Sequence, residues 1–345
     1  MTKKKIIYVV NPRSGVGKKK VIEDNILAQT DKSTTDIKII RTTHRGHATE
    51  IAKEYRDKAD IVVAVGGDGT VNEVGCGLIG SSTALGIIPC GSGNGLAREL
   101  DIPLRTTMAT EVVGDPEIRT IDIMRISSSK AEYQTAENRF VSLNVAGVGF
   151  DAYISHGFAN KKRRGPLQYM NLIAKEFPAY EPQEYVLDID GHIYSRKAFL
   201  ISFANSSQWG NDIHIAPQAR MDDGLIDVCI VSEFPNTAIP SLVISLLSQQ
   251  IANNKYDEMI RSKKIELHNS EELMGHVDGE PVIFPPYCTI EAEPMALKVA
   301  VPSKSYYDAH RFNPQKLRDQ VVTTVSEPLK EIRQNIRNIK TILEP

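Results

Sequence analysis

The first third of the chain alternates apolar strand patterns with helical patterns, and each strand pattern ends in a turn. KIIYVVNP, DIKIIRTT, DIVVAVGG and TALGIIPCGS carry apolar residues on both faces of a strand. Strands of this kind, separated by helices, are typical of a parallel sheet with helices on both sides. Residues 1–125 are therefore predicted to form a Rossmann-like α/β domain, whose ligands bind beyond the carboxyl ends of the strands.

The next segment of the chain has a different pattern. Residues 126–303 contain mostly short strands, such as KAFLISFANS and GLIDVCIVS, separated by Gly, Pro and Asp. Helical patterns interrupt them only at about 166–177 and 236–260, which favours an antiparallel β-sandwich or barrel. Residues 304–345 are predicted to be a helical tail that packs back on the protein, because Leu329 and later apolar residues fall on one face.

Composition argues against several classes of protein. A net charge of −2 over 345 residues provides no basic field that would attract nucleic acid. The cysteines, Cys76, Cys90, Cys229 and Cys288, form no C-x-x-C pair, which argues against zinc and disulfides and favours a reducing compartment. No stretch approaches the roughly 18–20 apolar residues that span a bilayer. We therefore expect a cytoplasmic protein of two domains.

Three glycine-rich segments follow the first, third and fourth predicted strands. They are NPRSGVGKKK at 11–20, GGDGTVNE at 66–73 and PCGSGNGLARE at 89–99. Each leads into a helix, so backbone N–H groups and helix N-termini would converge on an anion. The P-loop and G-x-G-x-x-G motifs are not present, and Arg13 or Lys18 would supply the positive charge. The pattern predicts a phosphate site, with plain βα turns as the alternative.

Asp68 lies among these amides, where a carboxylate would repel a phosphate. A cation between the two would remove the repulsion, and Mg²⁺ suits such a place because it keeps several waters and few carboxylates. Two alternatives are that Asp68 accepts a proton as a general base or bonds its own backbone at the turn. The polar residues Thr70, Asn72 and Glu73 at the start of the next helix favour a functional role.

The second domain contains two acidic turns. QARMDDGLIDV places Asp222 and Asp223 before a glycine, and GHVDGEPV places Asp278 and Glu280 around one. Asp-Gly is also the commonest hairpin turn, so each turn taken alone is more simply explained as a plain β-turn.

Taken together and in order, these motifs resemble the diacylglycerol kinase catalytic-domain family, which includes sphingosine kinases and soluble bacterial lipid kinases. The similarity spans about residues 4–303, whereas GGDG alone also occurs in NAD kinases. The five motifs are Asn11-Pro12-Arg13-Ser14-Gly15, Gly66-Gly67-Asp68-Gly69-Thr70 with Asn72-Glu73, Gly91-Ser92-Gly93-Asn94, Asp222-Asp223-Gly224 and Asp278-Gly279-Glu280.

The resemblance implies ATP-dependent phosphorylation of a lipid hydroxyl, in a cleft between the α/β domain and the β-sandwich. Asp278 and Glu280 match the family's proposed proton acceptor, with Asp278 expected to accept the proton and Glu280 to assist it. Asp68 would join a network of Mg²⁺ and water. The implied ATP contacts are the loop of Asn11, Pro12, Arg13, Ser14 and Gly15, then Thr43, the loop of Gly66, Gly67, Asp68, Gly69, Thr70, Val71, Asn72 and Glu73, and the loop of Gly91, Ser92, Gly93 and Asn94.

The same resemblance bears on a second metal ion and on the lipid. Arg220, Asp223 and Leu225 would hold a structural magnesium ion, the first and third through backbone carbonyls. GSGNGLARE looks closer to the GSGN form of sphingoid kinases than to the GTAND form of soluble bacterial diacylglycerol kinases. GVGFDA places Asp151 about where sphingosine kinases recognise the head-group amine. The substrate is therefore expected to be diacylglycerol or a sphingoid base.

A kinase for a lipid hydroxyl has to reach a bilayer. ANKKRRGPLQYM contains Lys161, Lys162, Arg163 and Arg164 beside apolar residues, which predicts transient peripheral contact with the inner face of the membrane. A solvated surface loop explains the same charge run equally well. A homodimer is an open expectation for the oligomeric state.

Two rival functions stay open. A NAD kinase-like small-molecule kinase would share GGDG and a β-rich second domain, but the DDG and DGE turns with GSGN argue against it. A non-catalytic nucleotide or lipid sensor would be expected to lose a motif carboxylate, and Asp68, Asp223, Asp278 and Glu280 are all present. His44 and His47 have no evident acidic or cysteine partner, so they predict no metal site.

Overall fold

The computed structural model describes residues 3–15, 19–159, 171–173 and 175–310. The chain divides into two compact units, Met1–Pro302 and Ser303–Pro345. The fold and the candidate site described below belong to the first unit.

Four parallel strands begin the chain. The buried runs predicted from the sequence form β1 (Lys4–Val10), β2 (Thr35–Arg41), β3 (Ile61–Gly66) and β4 (Ala84–Pro89), in the order β2-β1-β3-β4. Every residue of β3 and β4 is buried, as expected for strands covered on both faces. The helices between and after them are α1 (Lys19–Gln29), α2 (His47–Tyr55), α3 (Asp68–Leu78), α4 (Gly95–Glu99) and α5 (Thr106–Gly114).

The strand order fixes the faces on which these helices lie. The chain moves from β1 to β2 in one direction and from β2 to β3 and β4 in the other. Right-handed crossovers then place α1 on one face and α2 and α3 on the opposite face. In agreement, α1 packs against α5, and α2 packs against α3. The reversal of direction falls between β1 and β3, which is where ligands of such sheets bind.

Antiparallel strands dominate the remainder of the first unit, interrupted by α6 (Phe150–Ala159) and α7 (Ile239–Leu247). This arrangement confirms the predicted combination of a parallel α/β part and an antiparallel β-sandwich-like part. The strands are β5 (Pro116–Ser128), β6 (Phe140–Ser142), β7 (Val145–Gly149), β8 (Gln183–Ile189), β9 (His192–Ala204), β10 (Gln208–Gly210), β11 (Ile213–His214), β12 (Ile226–Ser232), β13 (Asp257–Ser262), β14 (Lys264–Leu267), β15 (Leu273–Val277), β16 (Glu280–Phe284) and β17 (Cys288–Pro302).

The long strand β17 joins the two parts. It pairs antiparallel with β5 and β14, and it meets β4 in parallel register at Val299 and Leu85. The parallel and antiparallel strands therefore belong to one hydrogen-bonded sheet. The predicted boundary near residue 125 falls inside β5, and the three predicted domain ranges stay predictions.

The two largest apolar clusters among the described residues correspond to the two parts. One surrounds the parallel strands and includes Tyr8, Ile26 and Leu78, and the other fills the antiparallel part around Phe203 and Phe284. All five side chains are at most 2% exposed. Burial of a large apolar side chain stabilises a fold by about 1.5–3 kcal/mol, so these cores hold the loops between them in place.

One predicted helix is wrong in its length. The segment 236–260 was expected to be helical throughout, but α7 ends at Leu247 and Asp257–Ser262 form strand β13. The reason is that β13 pairs with β12, and a ladder partner outweighs local helical spacing. Of the predicted helical tail, the structure describes α8 (Lys304–His310), and residues 311–345 lie outside the described residues. Within the described residues, no helix is long and apolar enough to cross a bilayer.

Candidate active site

The three predicted phosphate loops follow β1, β3 and β4, at the carboxyl edge of the parallel strands. The first and third loops approach closely, because a Cβ atom on Gly15 would lie 1.9 Å from the carbonyl oxygen of Cys90. The second and third also touch, since a Cβ on Gly91 would lie 2.7 Å from Gly67 Cα. Glycine is required at these positions because no side chain fits between the loops.

The first loop is tied to the second through Asn11. The side-chain amide of Asn11 donates to Thr70 Oγ1 at 3.0 Å. The backbone carbonyl oxygen of Asn11 accepts from the Ser14 hydroxyl at 3.1 Å. Arg13 and Pro12 are exposed at the tip of this loop. Within the described residues, the Arg13 guanidinium has no hydrogen bond or ion pair. It is therefore a positive charge at the loop that is free to meet an anion.

Asp68 holds the second and third loops together. Its carboxylate accepts the backbone N–H of Asn94 at 2.9 Å and that of Gly95 at 2.7 Å. Asn94 adopts φ 54°, and its side chain closes the GSGN loop by bonding both backbone groups of Gly91. Asp68 therefore bonds backbone N–H groups of a neighbouring loop as well as its own backbone, the contact that one alternative expected.

The surroundings of Asp68 make its charge costly. Burial is the main cause that raises the pKa of Asp68, and the negative charge of Asp278 raises it further, against backbone hydrogen bonds from Asn94, Gly95 and Asp68 itself. The hydrogen-bond donors of both carboxylates are neutral backbone, hydroxyl and amide groups. An approaching cation would lower the energy of both carboxylates.

Asp278 lies in the turn between β15 and β16 with φ 50°. Its Oδ1 accepts from the Ser142 hydroxyl at 2.6 Å and from Asn144 N–H at 2.9 Å. Its Oδ2 accepts from the Asn72 amide at 2.7 Å and from Leu143 N–H at 3.0 Å. Two carboxylate oxygens offer about four lone-pair sites, so these four donors use the full hydrogen-bonding capacity of Asp278.

Glu280 follows in the same turn but has a different environment. It is exposed, and within the described residues its carboxylate has no hydrogen bond or ion pair. It lies beside the second loop, because a Cβ atom on Gly69 would be 3.2 Å from Glu280 Oε1. The turn therefore presents one fixed carboxylate and one free carboxylate to the glycine loops.

Glu73 and Thr43 bond to the start of α2. The Glu73 carboxylate accepts the backbone N–H of Gly46 at 3.0 Å and of Ala48 at 3.2 Å. Thr43 is exposed, and its N–H donates to His47 Nδ1 at 3.1 Å. Glu73 thus attaches the loop that carries Thr43 to helix α3, which begins at Asp68 within GGDG.

Asp151 is half-buried at the start of α6. Its Oδ2 lies 3.0 Å from His276 Nε2, and the two side chains are 9% and 4% exposed. The Ser202 hydroxyl donates to the same oxygen at 3.2 Å, and Ala152 N–H donates to Oδ1 at 2.8 Å. Asp151 therefore reaches the acidic turn through His276, two residues before Asp278.

The Arg220–Leu225 turn offers oxygen ligands. Asp223 Oδ1 accepts Leu225 N–H at 3.0 Å, which brings the two predicted ligand residues together. The Arg220 side chain turns instead to Asp222, at 3.1 Å. One carboxylate and two backbone carbonyls would make an all-oxygen donor set of the kind that Mg²⁺ and Ca²⁺ use, and their assignment as metal ligands stays a prediction.

Most of the predicted site residues meet at one place. The carboxyl edge of the parallel strands is surrounded by the three loops, Thr43 and the DGE turn. Asp151 is connected to the DGE turn through His276. Asp223 belongs to a separate turn. Lys18 and the basic run Lys161, Lys162, Arg163 and Arg164 lie outside the described residues.

The sequence interpretation missed two sets of residues. Ser142, Leu143 and Asn144 position Asp278, but they are about 135 residues away in the chain and belong to no motif. The statement that His44 and His47 lack an acidic partner is wrong, because Glu50 lies next to both. The spacing could have indicated this contact, because Glu50 follows His47 by three residues and residues three apart are neighbours on a helix surface.

Comparison with known proteins agrees with this arrangement. Residues 5–126 match the family model described as the diacylglycerol kinase catalytic domain. Residues 144–301 match the model described as the YegS C-terminal NAD kinase beta sandwich-like domain. The two matches follow one another along the chain and correspond to the parallel and the antiparallel parts.

Curated relatives cover most of the chain. It is 26% identical over 288 residues to a diacylglycerol kinase of Bacillus subtilis, covering 81% of this chain and 90% of the relative. It is 27% identical over 304 residues to a diacylglycerol kinase of Mycobacterium tuberculosis, covering 86% and 95%.

Solved structures share the fold. A putative diacylglycerol kinase from Bacillus anthracis superposes with a TM-score of 0.69 at 22% identity, covering 88% of this chain and 99% of the other. Yeast NADH kinase in complex with NADH gives a TM-score of 0.52 at 9% identity, covering 90% and 89%.

The fold and the glycine-loop site with its acidic turn define a kinase that phosphorylates an alcohol group on a lipid. The chain combines a diacylglycerol kinase catalytic domain with a YegS C-terminal NAD kinase beta sandwich-like domain, and most of its length is similar to proteins named diacylglycerol kinase.

Proposed function

We propose that this kinase transfers the γ-phosphate of Mg-ATP to the hydroxyl of diacylglycerol or of a sphingoid base. The observation that carries the proposal is the contact between the glycine loops and the acidic turn, with Glu280 beside Gly69. Phosphoryl transfer depends mainly on positioning and charge neutralisation, and this arrangement joins a phosphate cradle to a free carboxylate.

The phosphates would lie on the three loops. Helix α3 begins directly after β3, at the carboxyl edge of the strands, where a helix N-terminus would favour an anion. The exposed Arg13 guanidinium, which has no ion pair among the described residues, would neutralise part of the charge. Arg13 thus takes the role that a lysine has in P-loops.

Mg²⁺ fits beside Asp68. The repulsion between Asp68 and Asp278, whose hydrogen-bond donors within the described residues are all neutral, supports a bound cation there. Bound with ATP, Mg²⁺ would neutralise charge that develops on the phosphate oxygens. The Asp223 carboxylate with the carbonyls of Arg220 and Leu225 would hold a second, structural magnesium ion.

Glu280 would accept the proton of the lipid hydroxyl. A base needs a free lone pair within reach of the proton, and the four hydrogen bonds of Asp278 leave it without one. Asp278 would instead fix the turn so that Glu280 faces the γ-phosphate. This proposal exchanges the roles expected from the sequence, in which Asp278 accepts the proton and Glu280 assists it.

The lipid would enter beside α6. A cavity of about 400 Å³ is lined there by Tyr153, Ile154, Gly157, Leu172 and Met274, together with His156 and Glu176. Its mixed apolar and polar lining suits an acyl chain close to a head group. Asp151, bound to His276, would order the turn next to this cavity, and direct contact of Asp151 with a head-group amine stays a prediction. The basic run at 161–164 would meet anionic lipid.

The test is phosphate transfer from labelled Mg-ATP by the purified full chain. The acceptors are diacylglycerol, sphingosine, dihydrosphingosine, ceramide and undecaprenol in mixed micelles, with NAD assayed in parallel. We expect label in diacylglycerol or in a sphingoid base, and loss of label when Mg²⁺ is chelated. Label in NAD alone, or in none of these acceptors, would refute the proposal.

A further inference from the structure

A cluster of two histidines and a glutamate lies where β2 ends and α2 begins. One ligand atom from each of His44, His47 and Glu50 lies within 4.8 Å of the other two. The imidazole rings stack with their centroids 4.8 Å apart, and His44 Nε2 lies 3.7 Å from Glu50 Oε2. His44 and Glu50 are exposed, and His47 is half-buried. None of the three belongs to the loops proposed to bind phosphate.

His44 is already oriented as a metal ligand. Its Nδ1 lies 3.0 Å from the carbonyl oxygen of Arg45. Because a carbonyl can only accept, Nδ1 carries the proton and the lone pair is on Nε2, the atom that faces Glu50. Histidine ligands of metal ions commonly donate their second ring N–H to such an oxygen, which fixes the tautomer.

We propose that His44, His47 and Glu50 bind a transition-metal dication of the Zn²⁺ type. Two imidazoles and one carboxylate form the nitrogen and oxygen donor set of zinc sites with an open fourth position, whereas Mg²⁺ prefers oxygen alone. Tetrahedral zinc with bonds of about 2.0–2.1 Å holds its ligand atoms about 3.4 Å apart. The ligand atoms need to approach by up to about 1.4 Å, which rotation of the exposed His44 and Glu50 side chains provides.

Metal binding would alter the residue next to the nucleotide loops. Thr43 N–H donates to His47 Nδ1 at 3.1 Å. If Nδ1 binds the metal, its lone pair is used, and if Nε2 binds the metal, Nδ1 carries the ring proton. Either way the Thr43 N–H loses its acceptor. In the second case the Thr43 hydroxyl oxygen, 3.2 Å from Nδ1, can accept a hydrogen bond from the Nδ1–H group. The metal would therefore act on a proposed ATP contact.

The loop also transmits this change to the phosphate cradle. Gly46 and Ala48 donate their N–H groups to the Glu73 carboxylate, and Thr49 Oγ1 donates to the Glu73 carbonyl at 2.8 Å. Glu73 belongs to α3, whose first residues are the GGDG loop. The cluster is thus linked to the loop through hydrogen bonds of one short segment.

The experiment is a Zn²⁺ titration of the full chain, purified without a polyhistidine tag, against a chromogenic zinc chelator. We expect one equivalent to bind at micromolar concentration or tighter, also in excess Mg²⁺. Co²⁺ in place of Zn²⁺ should give the visible absorption of a tetrahedral site. His44→Ala and Glu50→Gln should each weaken binding at least ~10-fold, since each removes a ligand.

The matched control is His192→Ala, which removes an exposed histidine from β9. It should bind Zn²⁺ like the wild type. Circular dichroism and the unfolding temperature should be unchanged in all three variants because the residues are exposed. Absence of a bound equivalent, or equal affinity of wild type and His44→Ala, would overturn the proposal, the second outcome because the metal would then lie elsewhere.

Discussion

Asp278 and Glu280 are two residues apart in one turn, yet their surroundings differ in every respect that matters for proton transfer. Four donors within 3.0 Å surround the Asp278 carboxylate. Glu280 is exposed and has no hydrogen-bond partner within the described residues. A residue with every lone pair occupied serves to fix geometry, and a residue with free lone pairs can accept a proton.

Exchange of each carboxylate for its amide should separate these roles. Glu280→Gln removes the free carboxylate, so kcat should fall at least ~100-fold while the free energy of unfolding changes by less than about 0.5 kcal/mol. Asp278→Asn turns an NH₂ group toward two donors, so unfolding should become easier by about 1–3 kcal/mol and activity should also fall. Steady-state kinetics and urea unfolding measure the two effects.

The opposite pattern would reject the assignment. If Glu280→Gln keeps near-normal kcat while Asp278→Asn loses kcat without losing stability, Asp278 is the base. Glu271→Gln is a suitable control, because Glu271 is an exposed carboxylate in the loop before β15. It should leave both kcat and stability unchanged.

At the level of elements, the three loops work as one unit because their backbones touch. Gly67 and Gly91 face each other, and a Cβ on Gly91 would also come within 3.0 Å of Asn94 Oδ1. Asp68 bonds across the same contact to the start of α4. A change in the separation of two loops therefore changes the phosphate cradle as a whole.

Gly91→Ala should push the second and third loops apart. A methyl group 2.7 Å from Gly67 Cα cannot be accommodated without backbone movement. We expect the KM for ATP to rise at least ~10-fold and the stability to fall by about 1–3 kcal/mol.

Gly114→Ala is the matched control for this substitution. It also adds one methyl group, but at an exposed position where no atom lies within 4 Å. Kinetics at varied ATP concentration compare the two variants. An unchanged KM in Gly91→Ala would show that the contact does not position the phosphates.

The elements themselves could largely be predicted from the sequence, but the hydrogen bonds between them could not. The parallel strands were visible as apolar runs, and the glycine loops were visible as breaks after them. The hydrogen-bond partners of Asp278 are Ser142 in β6, the two residues that follow β6, and Asn72 in α3. No local spacing in the sequence indicates that these segments meet. Strand β13 was read as helix because its partner, β12, is remote.

At the scale of the whole molecule, the buried carboxyl of Asp257 contributes to the pH dependence of the free energy of unfolding. Asp257, at the start of β13, accepts a hydrogen bond from the Cys229 thiol at 2.8 Å. Burial raises the pKa of its carboxyl to about 6. In the unfolded chain the same group has a pKa of about 3.9. The folded state therefore binds more protons between these values, and the group's contribution to stability falls as the pH rises through them.

Asp257→Asn should remove this dependence. Relative to the wild type, its free energy of unfolding should increase by about 1–3 kcal/mol between pH 4 and pH 7.5, because the amide has no charge to bury. Urea unfolding at several pH values measures the difference. Asp36→Asn, at an exposed position in β2, should show no such trend. Parallel pH profiles of Asp257→Asn and the wild type would disprove the burial of a charge at this site.

The pairing of β17 with β4 also bears on the order in which the protein can be made. A ribosome releases the nucleotide loops and all four strands of the parallel sheet within the first hundred residues, but β17 ends only at Pro302. Until then the edge of β4 lacks its neighbour, and β5 lacks the partner with which it shares most of its length. The nascent chain must therefore carry an unfinished sheet through most of its synthesis, and a gene truncated between the two parts would encode an exposed edge rather than a smaller kinase.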